Sequence, residues 1–159
     1  DSNVKAATNA MTYTQAVTSS HADFIQGYIR EMYGNCTVDN DAPDVIVTTQ
    51  VIFDAYEESL SAQKRFGASS ESLADAGFNN LLYRGTPIVV DDHCPAGHMY
   101  FLNTKYIKFR HHGSRNFAFQ GFSKPVNQDA SVAQILWLGA LTVSNPRMLG
   151  KITGLPSAY

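Results

Sequence analysis

The sequence predicts an α+β fold, with helices gathered in its first half and strands following from the middle onward. Three observations carry this. Apolar residues recur every three or four positions as far as Leu60. From Phe78 the period drops to two, the spacing of a strand with one buried face. Clusters of Asp, Asn, Pro and Gly separate the periodic runs, as turns require.

The first element is "AVTSSHADFIQGYIREMYGN", residues 16–35, which reads as one amphipathic helix. Val17, Phe24, Tyr28 and Met32 share a stripe that Ile25 and Ile29 widen. Gly34 and Asn35 tolerate the left-handed backbone that ends helices. His21 lies at the edge of the stripe, where a half-buried structural histidine belongs. "VDNDAPD" is a turn, and "VIVTT" is a short β-branched strand of the buried kind. Thr48 or Thr49 then caps a second helix, "QVIFDAYEESL", whose Ile52, Tyr56 and Leu60 share a face. No glycine-rich loop joins this strand to its helix, so a nucleotide-phosphate cradle is not expected.

"SAQKRFGASSESLADAG" is rich in small polar residues and reads as an exposed loop, with Lys64 and Arg65 in solvent. "FNNLLYRGTPIVVDD" reads as strand, turn at Arg84-Gly85-Thr86, and strand, with Pro87 near the start of the second. "MYFLNTKYIKFRHH" follows as one bent strand or two short ones. Phe117, Phe119 and Phe122 stand two and three apart, as a strand end that plugs a core or a partner's groove. "ASVAQILWLGALTVS" reads as one long strand. A turn at Asn145-Pro146 and a last strand, "MLGKITGL", close the chain.

The 159 residues suit one domain. A formal charge of −2 and a charged fraction of 16% argue against a binder that holds nucleic acid through an overall basic surface. Nine Phe and eight Tyr fit either a large core or a surface covered by other copies. Cys36 and Cys94 are expected as free thiols in a reducing compartment. No apolar run reaches the roughly 20 residues that span a bilayer, and no membrane partner is expected. The opening "DSNVKAATNA" lacks an initiator Met and reads as part of a longer or processed product.

"DDHCPAGH", residues 91–98, concentrates the residue types that carry chemistry. A zinc site needs three or four converging ligands. His93, Cys94 and His98 offer half of one, with Asp91 as a carboxylate and His111-His112 as distant candidates. No H-E-x-x-H, paired C-x-x-C or G-x-S-x-G accompanies them. Asp91 and Asp92 are adjacent and point apart in a strand, which prevents paired carboxylate chemistry. The stretch is therefore expected to be a hairpin turn, with Pro95 and Gly97 reversing the chain. No catalytic, cofactor-binding or metal residue is assigned. A small metal-dependent hydrolase using His93 and His98 is kept as the competing reading.

The order of segments adds a resemblance. "PDVIVTTQVIFDAYEESLSAQKRF", then "AGFNNLLYRGTPIVVDDHCPAGHMYFLNTKYIKFRHH", then "GKITGL", resembles the C-terminal half of a tailed-bacteriophage major capsid protein, chiefly over residues 44–110. The resemblance implies the Hong Kong 97-like fold that tailed-phage coats share with encapsulin shells. It implies an axial domain over residues 16–115, a mixed sheet flanked by helices. Residues 1–15 and 116–159 would then supply connecting segments and peripheral-domain strands. The N-terminal arm, extended loop and spine helix of such subunits are not evident in this stretch. It implies a structural rather than catalytic protein, self-assembling into pentamers and hexamers around double-stranded DNA in a virion built in a bacterial host's cytoplasm. Scaffold, portal and decoration proteins are the implied partners, and an encapsulin-like shell is the alternative. Lys–Asn crosslinking residues are not carried over, because neither Asn103 nor Asn127 matches a partner motif. Arg84, Lys105, Lys108 and Arg110 are candidates for ion pairs between subunits.

Overall fold

A computed structural model describes residues 3–7, 11–18, 24–61 and 81–159. The chain divides into two compact units, Asp1–Thr104 with Asn145–Tyr159, and Lys105–Ser144. The expected loop with Lys64 and Arg65, and His21, lie outside the described residues.

The first unit is built on a six-stranded mixed sheet. Its strands are β1 (Asn3–Ala6), β2 (Val45–Thr48), β3 (Leu82–Tyr83), β4 (Thr86–Val90), β5 (His98–Leu102) and one formed by Gly150–Thr153. Three helices accompany them: α1 (Tyr13–Val17), α2 (Ile25–Asn35) and α3 (Gln50–Ser61). The strand order is β1, Gly150–Thr153, β5, β2, β4, β3. The single helix expected over 16–35 is thus two. Val17 ends α1, and Phe24 is the N-cap of α2. A capping box starts α1: the Thr12 hydroxyl accepts from the Gln15 amide at 3.4 Å, and the Thr12 amide donates to the Gln15 side chain at 3.0 Å.

In α2, Ile25, Tyr28, Ile29, Met32 and Tyr33 form the buried stripe. In α3, Ile52, Ala55 and Tyr56 do the same. Neither threonine caps α3 through its side chain. The Thr48 hydroxyl donates to the His98 carbonyl at 3.2 Å, and the buried Thr49 hydroxyl has no partner among the described residues. Only the Thr49 carbonyl takes part, accepting from Phe53 N–H at 3.1 Å.

The register explains the core. Ile46 faces Phe101, which faces Gly150, and Thr48 faces Met99, which faces Ile152. These residues and Ile88 are all buried, so they form one sheet face, and they share a cluster with the apolar stripes of α2 and α3. Gly150 is required there, because a Cβ would run into Cys36 Sγ and Met32 Sδ. Fully burying side chains of this size stabilises by about 1.5–3 kcal/mol each.

The hairpin expected at Arg84-Gly85 is present. Both residues have positive φ (50° and 86°), the two-residue turn whose twist matches paired strands. The hairpin expected at 91–97 is not. β4 and β5 are not neighbours, because β2 lies between them, pairing parallel with β4 and antiparallel with β5. The turn residues are right and the topology differs: the loop crosses the end of β2, where Asp91 N–H donates to the Thr48 carbonyl at 2.9 Å.

The second unit is a two-part antiparallel ribbon. β6 (Ile107–His111) pairs with β9 (Gly139–Val143), and β7 (Ala118–Ser123) pairs with β8 (Val132–Leu136). The closing strand of the first unit is therefore β10. The "MYFLNTKYIKFRHH" segment is two strands in different units, split at the 3-10 turn Thr104–Tyr106. The long strand expected over 130–144 is also two, interrupted at Trp137-Leu138. There Leu138 N–H donates to the Arg115 carbonyl at 2.8 Å, and the Leu138 carbonyl accepts from His112 N–H at 2.9 Å. The boundaries between the two units fall at 104 and 145. Residues 105–115 thus group with the ribbon, while β1 and β10 lie within the six-stranded sheet.

Candidate functional site

The 91–98 loop is held by backbone bonds. Asp91 Oδ1 accepts from His93 N–H at 2.8 Å, and the Asp91 carbonyl accepts from Cys94 N–H at 3.0 Å. The His93 side chain is 98% exposed, with Nδ1 3.4 Å from Asp91 Oδ1. His98 Nδ1 lies 2.8 Å from the Ala96 carbonyl, and its ring stacks on Tyr100 at 6.2 Å. The Cys94 thiol points at the His98 and Pro95 carbonyls, at 3.6 and 3.8 Å, and burial, then the Asp91 charge, push its pKa up. A thiol whose proton is held more tightly is a poorer nucleophile.

His111 ends β6 in the other unit, and His112 Nδ1 lies 3.0 Å from the Ser114 hydroxyl. Among the described residues, no three His, Cys, Asp or Glu side chains come together as metal ligands. Asn103 is a structural polar residue: buried, it donates to Asp41 Oδ1 at 2.9 Å and to the Ala42 carbonyl at 3.0 Å. Arg84 lies over the rings of Tyr83 and Tyr33, at 5.6 and 5.8 Å, and Lys105 over Tyr106 at 5.5 Å. Asn127 and the charged ends of Lys108 and Arg110 are exposed in the ribbon.

What the fold does present is uncovered apolar surface. With Ile46, Phe101 and their neighbours turned toward α2 and α3, alternation turns Val47, Val89, Tyr100 and Leu102 to the other sheet face. Those four are only partly buried or exposed. An antiparallel face open to solvent is normally polar. This one holds an open depression of about 320 Å³ lined by Val47, Tyr100, Leu102, Cys94 and Pro95, with Asp91 and His93 at its rim.

The ribbon is the larger such surface. None of residues 105–144 is buried, and eleven of the fifteen exposed large hydrophobic residues among those described lie in it. Register gathers them on faces. Ile107 opposes Val143 and Phe109 opposes Leu141, while Lys108 and Arg110 point to the other side. In the second part, Phe119 opposes Ile135 and Phe122 opposes Ala133. Three residues apart, Phe119 and Phe122 would ordinarily point to opposite sides. A bulge between them, with Gly121 at φ 79°, restores them to one face, where their rings meet edge-on at 5.7 Å. Trp137 stacks on Phe109 at 5.5 Å and leans on Phe117 at 6.4 Å. The spacing of two and then three around a glycine was the sequence signal for this bulge. The break at Trp137-Leu138 has a fainter signal in Gly139, where a Cβ would run into the Trp137 ring and the Arg110 carbonyl.

No protein-family model and no curated protein matches the chain. Among solved structures it is similar to the encapsulin of the holo-SrpI encapsulin complex from Synechococcus elongatus PCC 7942, with a TM-score of 0.57 and 13% identity. The match covers 99% of this chain and 54% of that one, so the chain spans about half the length of the encapsulin it resembles. The α+β architecture with a mixed sheet is accordingly similar to the fold of an encapsulin.

Proposed function

We propose that the chain is a structural subunit of a closed protein shell, assembling with copies of itself. The observation that carries this is the ribbon. An isolated two-stranded hairpin is marginally stable in water, and contiguous exposed apolar surface marks an interaction site. A ribbon without one buried residue belongs to an assembly in which something covers it. The fold supports the same reading, since the solved relative is an encapsulin in a complex.

Within that reading, the ordered segments over residues 44–110 favour a tailed-phage head of pentamers and hexamers enclosing double-stranded DNA. Such a head would assemble in the bacterial cytoplasm with scaffold, portal and decoration proteins as further partners. The match to an encapsulin favours a second reading, a shell around protein cargo. The sheet unit would then be the axial domain and the ribbon part of the peripheral one. No catalysis is assigned. His98 is tied to a backbone carbonyl and His93 points into solvent, which supports a wall loop over a hydrolytic centre.

Sedimentation velocity with negative-stain electron microscopy tests the proposal. Closed particles, or sheets of hexamers and pentamers, are the expected result, and a monomer that never assembles at any concentration would overturn it. Nuclease-protected DNA inside the particles selects the phage reading, and co-purifying protein cargo selects the encapsulin.

A further inference from the structure

The two segments of the chain that form the ribbon and the sheet unit carry opposite formal charge. Residues 105–144 hold Lys105, Lys108, Arg110, Arg115 and Lys124 against Asp129 alone, a formal +4. The whole chain is −2, so the remaining residues carry −6. Two ribbons meeting face to face would bring +4 against +4, and like charge opposes such a contact. Two sheet units would meet at −6 against −6, with the same result. Only ribbon against sheet unit joins apolar to apolar and positive to negative.

We propose that the ribbon of one copy lies on the open sheet face of a second copy, seating aromatic side chains in the depression formed by Val47, Tyr100, Leu102 and Pro95. The inference rests on the shell reading and names its contact. Phe119 and Phe122, 58% and 77% exposed and sharing a face, are the side chains free to enter the depression. Asp91 and Asp92, both exposed, stand at the loop beside it. Lys151, on that face, lies over the Tyr100 ring at 5.6 Å. Lys108 and Arg110 sit on the ribbon side away from its apolar face. They therefore steer the approach and fix its direction rather than enter the seat. Such a contact is heterologous, using a different surface on each partner, and heterologous contacts close into rings when the rotation allows. The 91–98 loop acquires its role here as the rim of an acceptor.

Site-directed crosslinking tests this directly. Cys94 lines the depression and is partly exposed, whereas Cys36 is fully buried, so Cys94 is the accessible native thiol. Phe119→Cys is assembled and oxidised with glutathione disulfide, with Phe122→Cys as the second variant. The expected product is a ladder of intermolecular disulfide-linked species, starting with the dimer, that disappears when Cys94→Ser is added. A dimer that persists without Cys94 joins two ribbons and overturns the proposal. So does a disulfide within one chain, which would put the ribbon on its own sheet. Particles that form with no disulfide in either variant overturn the contact but leave the shell reading standing, whereas a native protein that forms no particles removes both. As an independent readout, Asp91→Lys with Asp92→Lys should slow assembly about tenfold at low salt and remove most of its salt dependence.

Discussion

Ile46, Phe101 and Ile152 in the sheet unit are fully enclosed, whereas Phe119, Phe122 and Leu141 in the ribbon are more than half exposed. The residue types are alike, and in both regions the strands are paired. What differs is the second layer. In the sheet unit, α2 and α3 lay apolar stripes on one face and close a core. The ribbon has two strands in each part and no helix, so alternation produces an apolar face that nothing within the unit covers. An apolar strand pattern therefore specifies a face without saying whether the same chain will cover it. Mutations at equivalent chemistry in the two regions should behave in opposite ways.

The largest expected effect is Phe101→Ala. Phe101 is fully buried at the centre of the sheet, between Ile46 and Gly150. Truncation should lower stability by about 3–5 kcal/mol, read from denaturant unfolding. A loss below about 1 kcal/mol would mean that this layer is not the core.

Next in size is a pH effect at Cys36. Burial raises its pKa from 9.0 to about 11, with the Asn3 side chain pulling slightly the other way. The folded state thus holds the thiol proton more tightly than the unfolded chain does. Its contribution is fully present below pH 9 and is lost as pH rises through 11. The size is about 2–3 kcal/mol. Stability measured from pH 8 to 11 should fall more steeply in the native protein than in Cys36→Ala. Parallel slopes would place the thiol in water.

Gly150→Ala should cost about 1–3 kcal/mol, because its new Cβ meets Met32 and Cys36 with no free space. This separates close approach from backbone freedom, since Gly150 is not among the glycines with positive φ.

The same contrast explains what could be read in advance. The α2 stripe, β2, α3 and the Arg84-Gly85 turn were legible because local chemistry decides them: 3.6 periodicity, β-branching and a turn residue that tolerates positive φ. The placement of β2 between β4 and β5 was not legible, since Asp91, Pro95 and Gly97 serve a hairpin and a crossing loop equally well. Nor was the division of 105–144 from the sheet, because Ile107 and Phe109 continue the alternation of β5 after only a 3-10 turn. The chemistry-rich loop was correctly read as a turn, but its place at the rim of a depression depends on Val47 and Leu102, neither of which belongs to it.

Gly121→Ala tests the ribbon on its own. Nothing lies within 4 Å of the added Cβ, so its cost is conformational, from φ 79°. That amounts to about 1–2 kcal/mol, confined to the ribbon. Amide exchange should accelerate from Ala118 to Ser123 while the β2 and β5 amides stay protected. A uniform loss of protection would mean that the two units unfold together.

The smallest effect on folding is expected at Phe122→Ala, and it is the most informative. With the ring 77% exposed, its removal should change unfolding free energy by less than about 0.5 kcal/mol. If Phe122 is an anchor that enters a neighbour's pocket, the same truncation should cost about 2 kcal/mol or more per contact, roughly thirtyfold in the concentration needed for assembly. Denaturant unfolding of dilute protein and sedimentation across a concentration series separate the two quantities. A variant equally stable yet impaired in assembly shows apolar surface retained for a partner. One that assembles as the native protein does would move the interface away from the bulge, and the apolar face of β6 and β9 would be the next surface to truncate, through Phe109 and Leu141.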